Sequence, residues 1–187
     1  YPMQVNNSAL CCAKLTLTEH PTMKISCDFL VLGSGIAGLS FALKAAGHGT
    51  VAVVTKREVT ESATNYAQGG IASVFSQEDT FAAHIDGTLV AGAGICHEEV
   101  VRMVIEEGPP TIKSLIDWGV KFTTSGDSFD LTREGGHSQR RILHADDVTG
   151  REIERALVAA VRNHPARAEW PGGHRSAGSF PVGSRHV

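Results

Sequence analysis

Between Thr132 and Ala145 five candidate cations, Arg133, Arg140, Arg141, His137 and His144, surround a single carboxylate, Glu134. Such a density of positive charge attracts anions, and the carboxylate within it can accept a hydrogen bond from a cationic group. A run of charges is ordinarily a solvated face. Two adjacent glycines, Gly135 and Gly136, argue for more here, because they suit a backbone that approaches something closely. A metal is a poor reading. His137 and His144 lie seven residues apart, with no Cys or acidic partner at ligand spacing and no H-E-x-x-H.

The second stretch with chemistry is Asp28 to Lys56. An apolar run, Phe29-Leu30-Val31-Leu32, leads into Gly33-Ser34-Gly35-Ile36-Ala37-Gly38, then an amphipathic segment to Ala46, then a second apolar run from Thr50 to Val54. This order predicts strand, glycine turn, helix and strand. Unbroken apolar runs are those of parallel strands covered by helices on both faces. Gly33 permits the tight turn, Gly35 lets the backbone approach a pyrophosphate, and Gly38 lets the helix pack on the strand. The helix N-terminus, with its unpaired N–H groups, favours phosphate. The pattern predicts a dinucleotide site in an α/β, Rossmann-like domain. An acidic ribose clamp is absent at the expected distance, where Thr55 and Lys56 stand. Lysine cannot accept a hydrogen bond, so Lys56 is a candidate cationic contact to the cofactor.

The remaining elements must position these two stretches. Lys56 to Gly70 has no helical or alternating period and reads as a loop able to supply hydroxyls, amides and backbone N–H groups. From Thr80 to Trp118 the pattern is helical, with stripes of Phe81, Ile85 and Leu89 and of Val100, Val101, Val104 and Ile105, expected to cover the sheet. Gly108-Pro109-Pro110 breaks that run and begins another helix. Val120-Lys121-Phe122 and Phe129-Asp130-Leu131 read as a hairpin with Ser125 to Ser128 at its tip. Thr149-Gly150-Arg151-Glu152 has the form of a capping box, opening a helix from Gly150 to about Asn163.

Composition bounds the rest. At 187 residues, 42% hydrophobic and 20% charged, with a formal charge of −3, the chain is that of a globular protein, and it offers no electrostatic case for nucleic acid or an anionic membrane. No apolar run approaches the ~18 residues of a membrane span. Cys11, Cys12, Cys27 and Cys96 form no C-x-x-C pair and read as free thiols of a reducing compartment. Residues 1–24 are expected to be a disordered leader, with Met23-Lys24 resembling a natural start. Residues 25–164 are expected to be the folded unit, and 165–187, with no periodic apolar face, a disordered or aberrant tail.

Two motifs carry a family resemblance. Thr64-Asn65-Tyr66-Ala67-Gln68-Gly69-Gly70-Ile71, following the glycine turn, resembles the second flavin-contacting loop of the fumarate reductase and succinate dehydrogenase flavoproteins. Leu131 to Ala145 resembles the signature of one branch, the L-aspartate oxidases, and the likeness runs from about Cys27 to Pro165, taking in Val90 to Cys96. The resemblance implies the N-terminal portion of an FAD-binding domain of that group, ending where the divergent tail begins, as a frameshift or premature end would leave it.

It implies flavin contacts at Gly33 to Gly38, at Lys56 and from Ala63 to Gly70. It also implies oxidation of L-aspartate to iminoaspartate for quinolinate and NAD biosynthesis, with reoxidation of the flavin by oxygen or fumarate and quinolinate synthase as a partner. In the family the residue matching Glu134 faces the amino group of aspartate, while cationic groups meet the carboxylates. Respiratory members attach flavin to a histidine five positions before the Gln of A-Q-G-G; here that residue is Ala63, which implies non-covalent FAD. The implied compartment is the cytoplasm, or the plastid for a plant source. A soluble fumarate reductase-like flavoprotein and an inactive truncated product are the alternatives.

Overall fold

The computed structural model describes residues 26–165 and the backbone of 10–14. Strands β1 (Leu10–Lys14), β2 (Phe29–Leu32) and β3 (Val51–Thr55) form a parallel sheet in the order β1-β3-β2. Parallel neighbours cannot be joined by a tight turn, so helix α1 (Ile36–Ala45) makes the crossover between β2 and β3. The register pairs Phe29 with Val51 and Leu32 with Val54. The two strands also start together: the Asp28 carboxylate accepts hydrogen bonds from the backbone N–H and the hydroxyl of Thr50, both at 2.8 Å. Those bonds hold the Asp28 carboxyl below the ordinary range, the backbone N–H contributing most.

β1 corrects the expectation of a wholly disordered leader. Its five residues pair with β3 from Leu10↔Val51 to Lys14↔Thr55. A central strand must satisfy the N–H and C=O groups of both edges, and β1 satisfies the edge that β2 leaves free. The rest of the expected leader, and the expected tail from residue 166 onward, lie outside the described residues.

After β3 come a single 3-10 turn (Thr64–Tyr66), strand β4 (Ile71–Ala72), helices α2 (Phe81–Ala91), α3 (Glu98–Glu106) and α4 (Gly108–Asp117), the hairpin β5 (Thr124–Ser125) and β6 (Ser128–Phe129), strand β7 (Ile142–Leu143) and helix α5 (Thr149–Arg162). The core joins α1 to the sheet and to α5. Leu39, Ala42 and Leu43 meet Val31, Val51 and Val53 on one side and Ile153, Leu157 and Val161 on the other. Ile112 and Leu115 bring α4 into the same cluster.

Several local expectations change. β2 is covered on one face only: Val31 is buried, while Leu30 and Leu32 are 60% and 76% exposed. α1 covers the Val31 face, and no other described element covers the opposite one. Nor do the stripes of α2 and α3 seal the sheet; Ile85 and Ile105 are buried, but Phe81, Val100 and Val104 are exposed. The hairpin ladder is shorter than expected and sits closer to its tip, with Gly126 at φ 62° in the turn.

The capping box is not formed. α5 begins after Val148 with no side-chain cap. The Thr149 hydroxyl instead accepts the N–H of Ala145 at 3.0 Å. Glu152 accepts the N–H of Lys121 at 2.9 Å and binds Arg155. The Ala145 N–H one turn before, Arg155 one turn after and the Lys121 N–H from 31 residues away outcompete the box.

Gly38 is where α1 meets the turn that precedes it. A Cβ there would collide with the carbonyl of Gly33 and press on Val31. Gly38→Ala should therefore cost about 1–3 kcal/mol in thermal or chemical unfolding, as overpacking does. Gly47→Ala, whose new Cβ would meet only the Lys44 carbonyl at 3.6 Å, serves as the control. Equal melting of the two variants would show that the helix does not depend on this contact.

Candidate functional site

The glycine turn has the conformation a phosphate site needs. Gly33 sits at φ 110° with open space where a side chain would be, a backbone state that favours glycine. Gly35 is the N-cap of α1 and provides no side-chain cap. The first intrahelical bond runs from the Leu39 N–H to the Gly35 carbonyl, so the N–H groups of Ala37 and Gly38 precede the ladder. Ser34 is buried and Ala37 is exposed.

The loop ahead of β4 closes on this turn. The Thr64 hydroxyl accepts the N–H of Ile36 at 2.9 Å, and a Cβ on Gly35 would stand 3.2 Å from that hydroxyl. The loop is folded on itself by bonds from the N–H groups of Asn65, Tyr66 and Ala67 to the carbonyls of Ser62, Ala63 and Thr64. Two further close approaches hold it. The Gly150 N–H donates to the Ala67 carbonyl at 3.0 Å. A Cβ on Gly150 would collide with the Thr64 carbonyl, and one on Gly70 with Ile142 and the Leu143 carbonyl. Ala63, Gln68 and Gly69 remain on the surface of the loop, as does Tyr66, whose hydroxyl donates to Glu61. Lys56 is exposed beyond β3, and no described contact brings it to the turn.

β4 pairs antiparallel with β7, Ile71 with Leu143 and Ala72 with Ile142. That pairing carries the charged segment to the loop. Thr132 and Ile142 exchange backbone bonds at 3.0 Å and close the base of an excursion containing Glu134 to Ser138. At its edge, the Glu134 carboxylate lies 3.8 Å from where a Cβ on Gly69 would stand. The glycine turn, the second loop and Glu134 therefore form one continuous surface.

The cations divide differently from the sequence expectation. Arg141 belongs to the interior: its Nε and Nη2 donate to the two carboxylate oxygens of Asp79 at 2.9 and 2.7 Å, with both side chains buried. Arg140 donates to the Leu131 carbonyl at 3.2 Å, and His144 lies 3.7 Å from Asp130. His137 packs edge-on against His84 of α2, with ring centroids 5.9 Å apart. Arg133 alone of the five is exposed with no described partner. The two glycines, Gly135 and Gly136, face open space. No atom lies within 4 Å of a Cβ on either, and Gly136 is needed for its φ of 86°.

His84 and Asp79 were not singled out in the sequence, because nothing local distinguishes them from an ordinary helix residue and the residue before an N-cap. His84 titrates below the usual histidine value, chiefly through burial and then through the Arg141 guanidinium and His137, with Asp79 opposing. The buried ring and the buried ion pair anchor the base of the Glu134 excursion to the start of α2.

Comparison with known proteins agrees with this geometry. The family model described as FAD binding domain matches residues 28–171. L-aspartate oxidase 2-a, chloroplastic, of Nicotiana tabacum is 51% identical over 170 residues, covering 86% of this chain and 26% of that protein. The chloroplastic L-aspartate oxidase of Arabidopsis thaliana is 55% identical over 139 residues, 74% of this chain and 21% of the relative. The L-aspartate oxidase of Vibrio cholerae is 50% identical over 145 residues, 74% and 27%. Among solved structures, E. coli quinol fumarate reductase FrdA superposes with a TM-score of 0.71 at 29% identity, over 76% of this chain and 25% of that one. The chain thus spans about a quarter of the length of the relatives it matches.

The Asp79–Arg141 pair yields a direct expectation. Asp79→Ala strands a buried guanidinium and should cost about 3–5 kcal/mol in chemical unfolding. Replacing both partners, Asp79→Leu with Arg141→Met, should recover most of that loss. A single substitution costing under about 1 kcal/mol would show that the pair behaves as a solvated one.

Proposed function

Because the chain belongs to the FAD binding domain family over residues 28–171, we propose that it is the N-terminal part of the flavin domain of an L-aspartate oxidase. The observation that carries this reading is the continuous surface of glycine turn, A-Q-G-G loop and Glu134, on a chain 47–57% identical to L-aspartate oxidases over most of its folded part. The residues fit the cofactor. The open turn at Gly33, the uncapped N-terminus after Gly35 and the N–H groups of Ala37 and Gly38 suit a pyrophosphate. The exposed backbone from Ala63 to Gly70 suits the flavin ring.

FAD, when bound, supplies the acceptor of a hydride from the carbon bearing the substrate amino group. The chain's own residues bind and orient. Ser34 to Gly38 would hold the phosphates, and the loop from Ala63 to Gly70 would hold the ring. Glu134, beside Gly69, would receive the amino group of L-aspartate and so orient the substrate. The product is iminoaspartate, which serves quinolinate and NAD biosynthesis, and quinolinate synthase is the natural consumer of so reactive a compound. Oxygen or fumarate restores the cofactor. Ala63 has no nucleophilic side chain, so the flavin is held non-covalently. Relatives named chloroplastic favour a plastid for a plant source, with the cytoplasm as the site otherwise.

A fumarate reductase-like activity is the second reading, supported by the FrdA superposition but at only 29% identity. The uncovered face of β2 supports weak FAD binding and no turnover by residues 1–187 alone, because Leu30 and Leu32 lack the apolar partners that stiffen such a sheet.

Two measurements on a chain of the relatives' full length test the reading. Acid precipitation should leave the yellow flavin in the supernatant, and flavin retained in the pellet would refute non-covalent binding. Glu134→Gln should lower aspartate oxidation by roughly 10²-fold while reducing fumarate reduction, whose substrate has no ammonium, far less. An equal fall in both would assign Glu134 to holding the loop rather than to reading the amino group.

A further inference from the structure

α5 carries a second acidic residue whose position the reading above leaves unexplained. Glu154 is 0% exposed, and neither carboxylate oxygen has a hydrogen-bond partner among the described residues. It lies one helical turn beyond Gly150, on the face that touches the carbonyls of Thr64 and Ala67. Its polar neighbour is the Ser62 hydroxyl at the start of the same loop, which falls short of a full hydrogen bond in this structure. The Ser62 Oγ in turn accepts the N–H of Asn65 at 3.3 Å. The surrounding positions of α5, Ile153, Leu157, Val158 and Val161, are buried and apolar, so a leucine would serve packing better than an unsatisfied carboxyl.

We infer that Glu154 is a positioning residue of the cofactor site: it offers the Ser62 hydroxyl an acceptor from beneath and so holds the Ser62–Ala67 loop in the shape that receives the flavin. The inference rests on the proposed flavin site, and it adds a residue that faces the loop and not the cofactor. The relay would run from the Asn65 N–H to the Ser62 oxygen, as it does here, and on from the Ser62 O–H to a Glu154 oxygen. Burial raises the carboxyl above its usual value, with the Ser62 hydroxyl opposing. No charged group takes part: Glu61 and Tyr66 of the loop bond each other outside, and Lys44 ends α1.

The sign of the pH effect follows. A folded-state value above the unfolded one means that the contribution is complete below the unfolded carboxyl value and is lost as pH rises through the folded one. Unfolding free energy should fall over that window in the native protein, but not in Glu154→Gln.

The experiment uses native protein, Glu154→Leu and Glu154→Gln at the relatives' full length, with FAD titration, thermal unfolding and hydrogen exchange at the amides of Asn65 and Tyr66. Glu154→Leu should bind FAD about tenfold more weakly and exchange Asn65 about tenfold faster, as loss of one hydrogen bond allows. Its melting temperature should be equal or higher, because a buried unsatisfied carboxyl has been removed. Glu154→Gln, which keeps an acceptor oxygen, should stay within about threefold of native on both readouts. Unchanged exchange and FAD affinity in Glu154→Leu would overturn the role of Glu154. Absence of FAD binding by the native protein would overturn the proposed function, while the exchange comparison would still decide whether Glu154 holds the loop.

Discussion

The loop from Ser62 to Gly70 can lie where it does because two neighbouring positions have no side chain. At Gly150 the start of α5 presses against the carbonyls of Thr64 and Ala67, and at Gly70 the loop presses against β7. Any Cβ at either place would meet backbone, which cannot swing aside as a flexible side chain can. Backbone contact at both ends also allows hydrogen bonds that an intervening side chain would prevent, as between Gly150 and Ala67. The loop is thereby fixed to two elements far away in sequence, and through Thr64 to the first turn of α1. The relation between glycine turn and loop is then set by packed backbone and not by the loop's own weak turn.

The same loop depends on a charge pair that faces away from it. Asp79 and Arg141 bury opposite charges at the base of the Glu134 excursion. Burying two charges costs several kcal/mol of desolvation for each, so such a pair adds little net stability over an apolar substitute. What it adds is selectivity of arrangement. Arg141 can satisfy its planar fork against Asp79 in few geometries, and each of them fixes β7 relative to the start of α2. Ser138, which accepts from the same guanidinium at 3.2 Å, extends that control into the excursion. Beside the pair, burial holds His84 below the usual histidine value and so disfavours a further charge in the cluster.

Among the described residues, β2 is covered on one face only, although Ala52 of its neighbour β3 is buried on the other. α1 and α5 seal the face of Val31, Val51 and Val53, whereas Leu30 and Leu32 look outward. An apolar run in a parallel strand is the mark of cover on both faces, and β2 keeps that mark in its sequence. The chain spans about a quarter of the length of the relatives it matches.

Residue types that act through local geometry were legible from the sequence alone. The strand, glycine turn, helix and strand from Asp28 to Val54 follow from apolar runs and from glycines at positions where a turn or a close contact admits no other residue, and α5 follows from its apolar period. The family resemblance of the A-Q-G-G loop and of the Glu134 segment led to the expectation of one site, and the fold brings the Glu134 carboxylate beside Gly69. Tertiary structure decided which charges were free to act. Arg141 looks like its neighbour Arg140, yet it is consumed by Asp79, which lies 62 residues away. Thr149 and Glu152 have the spacing of a capping box, but Ala145, Lys121 and Arg155 take their bonds. β1 pairs in register where its sequence shows no alternation, because the open edge of β3 selects it. Local propensities are worth a few tenths of a kcal/mol to about one, and a buried charged partner from a distant part of the chain, as Asp79 is for Arg141, outweighs them; for that reason only the folded chain could assign that pair.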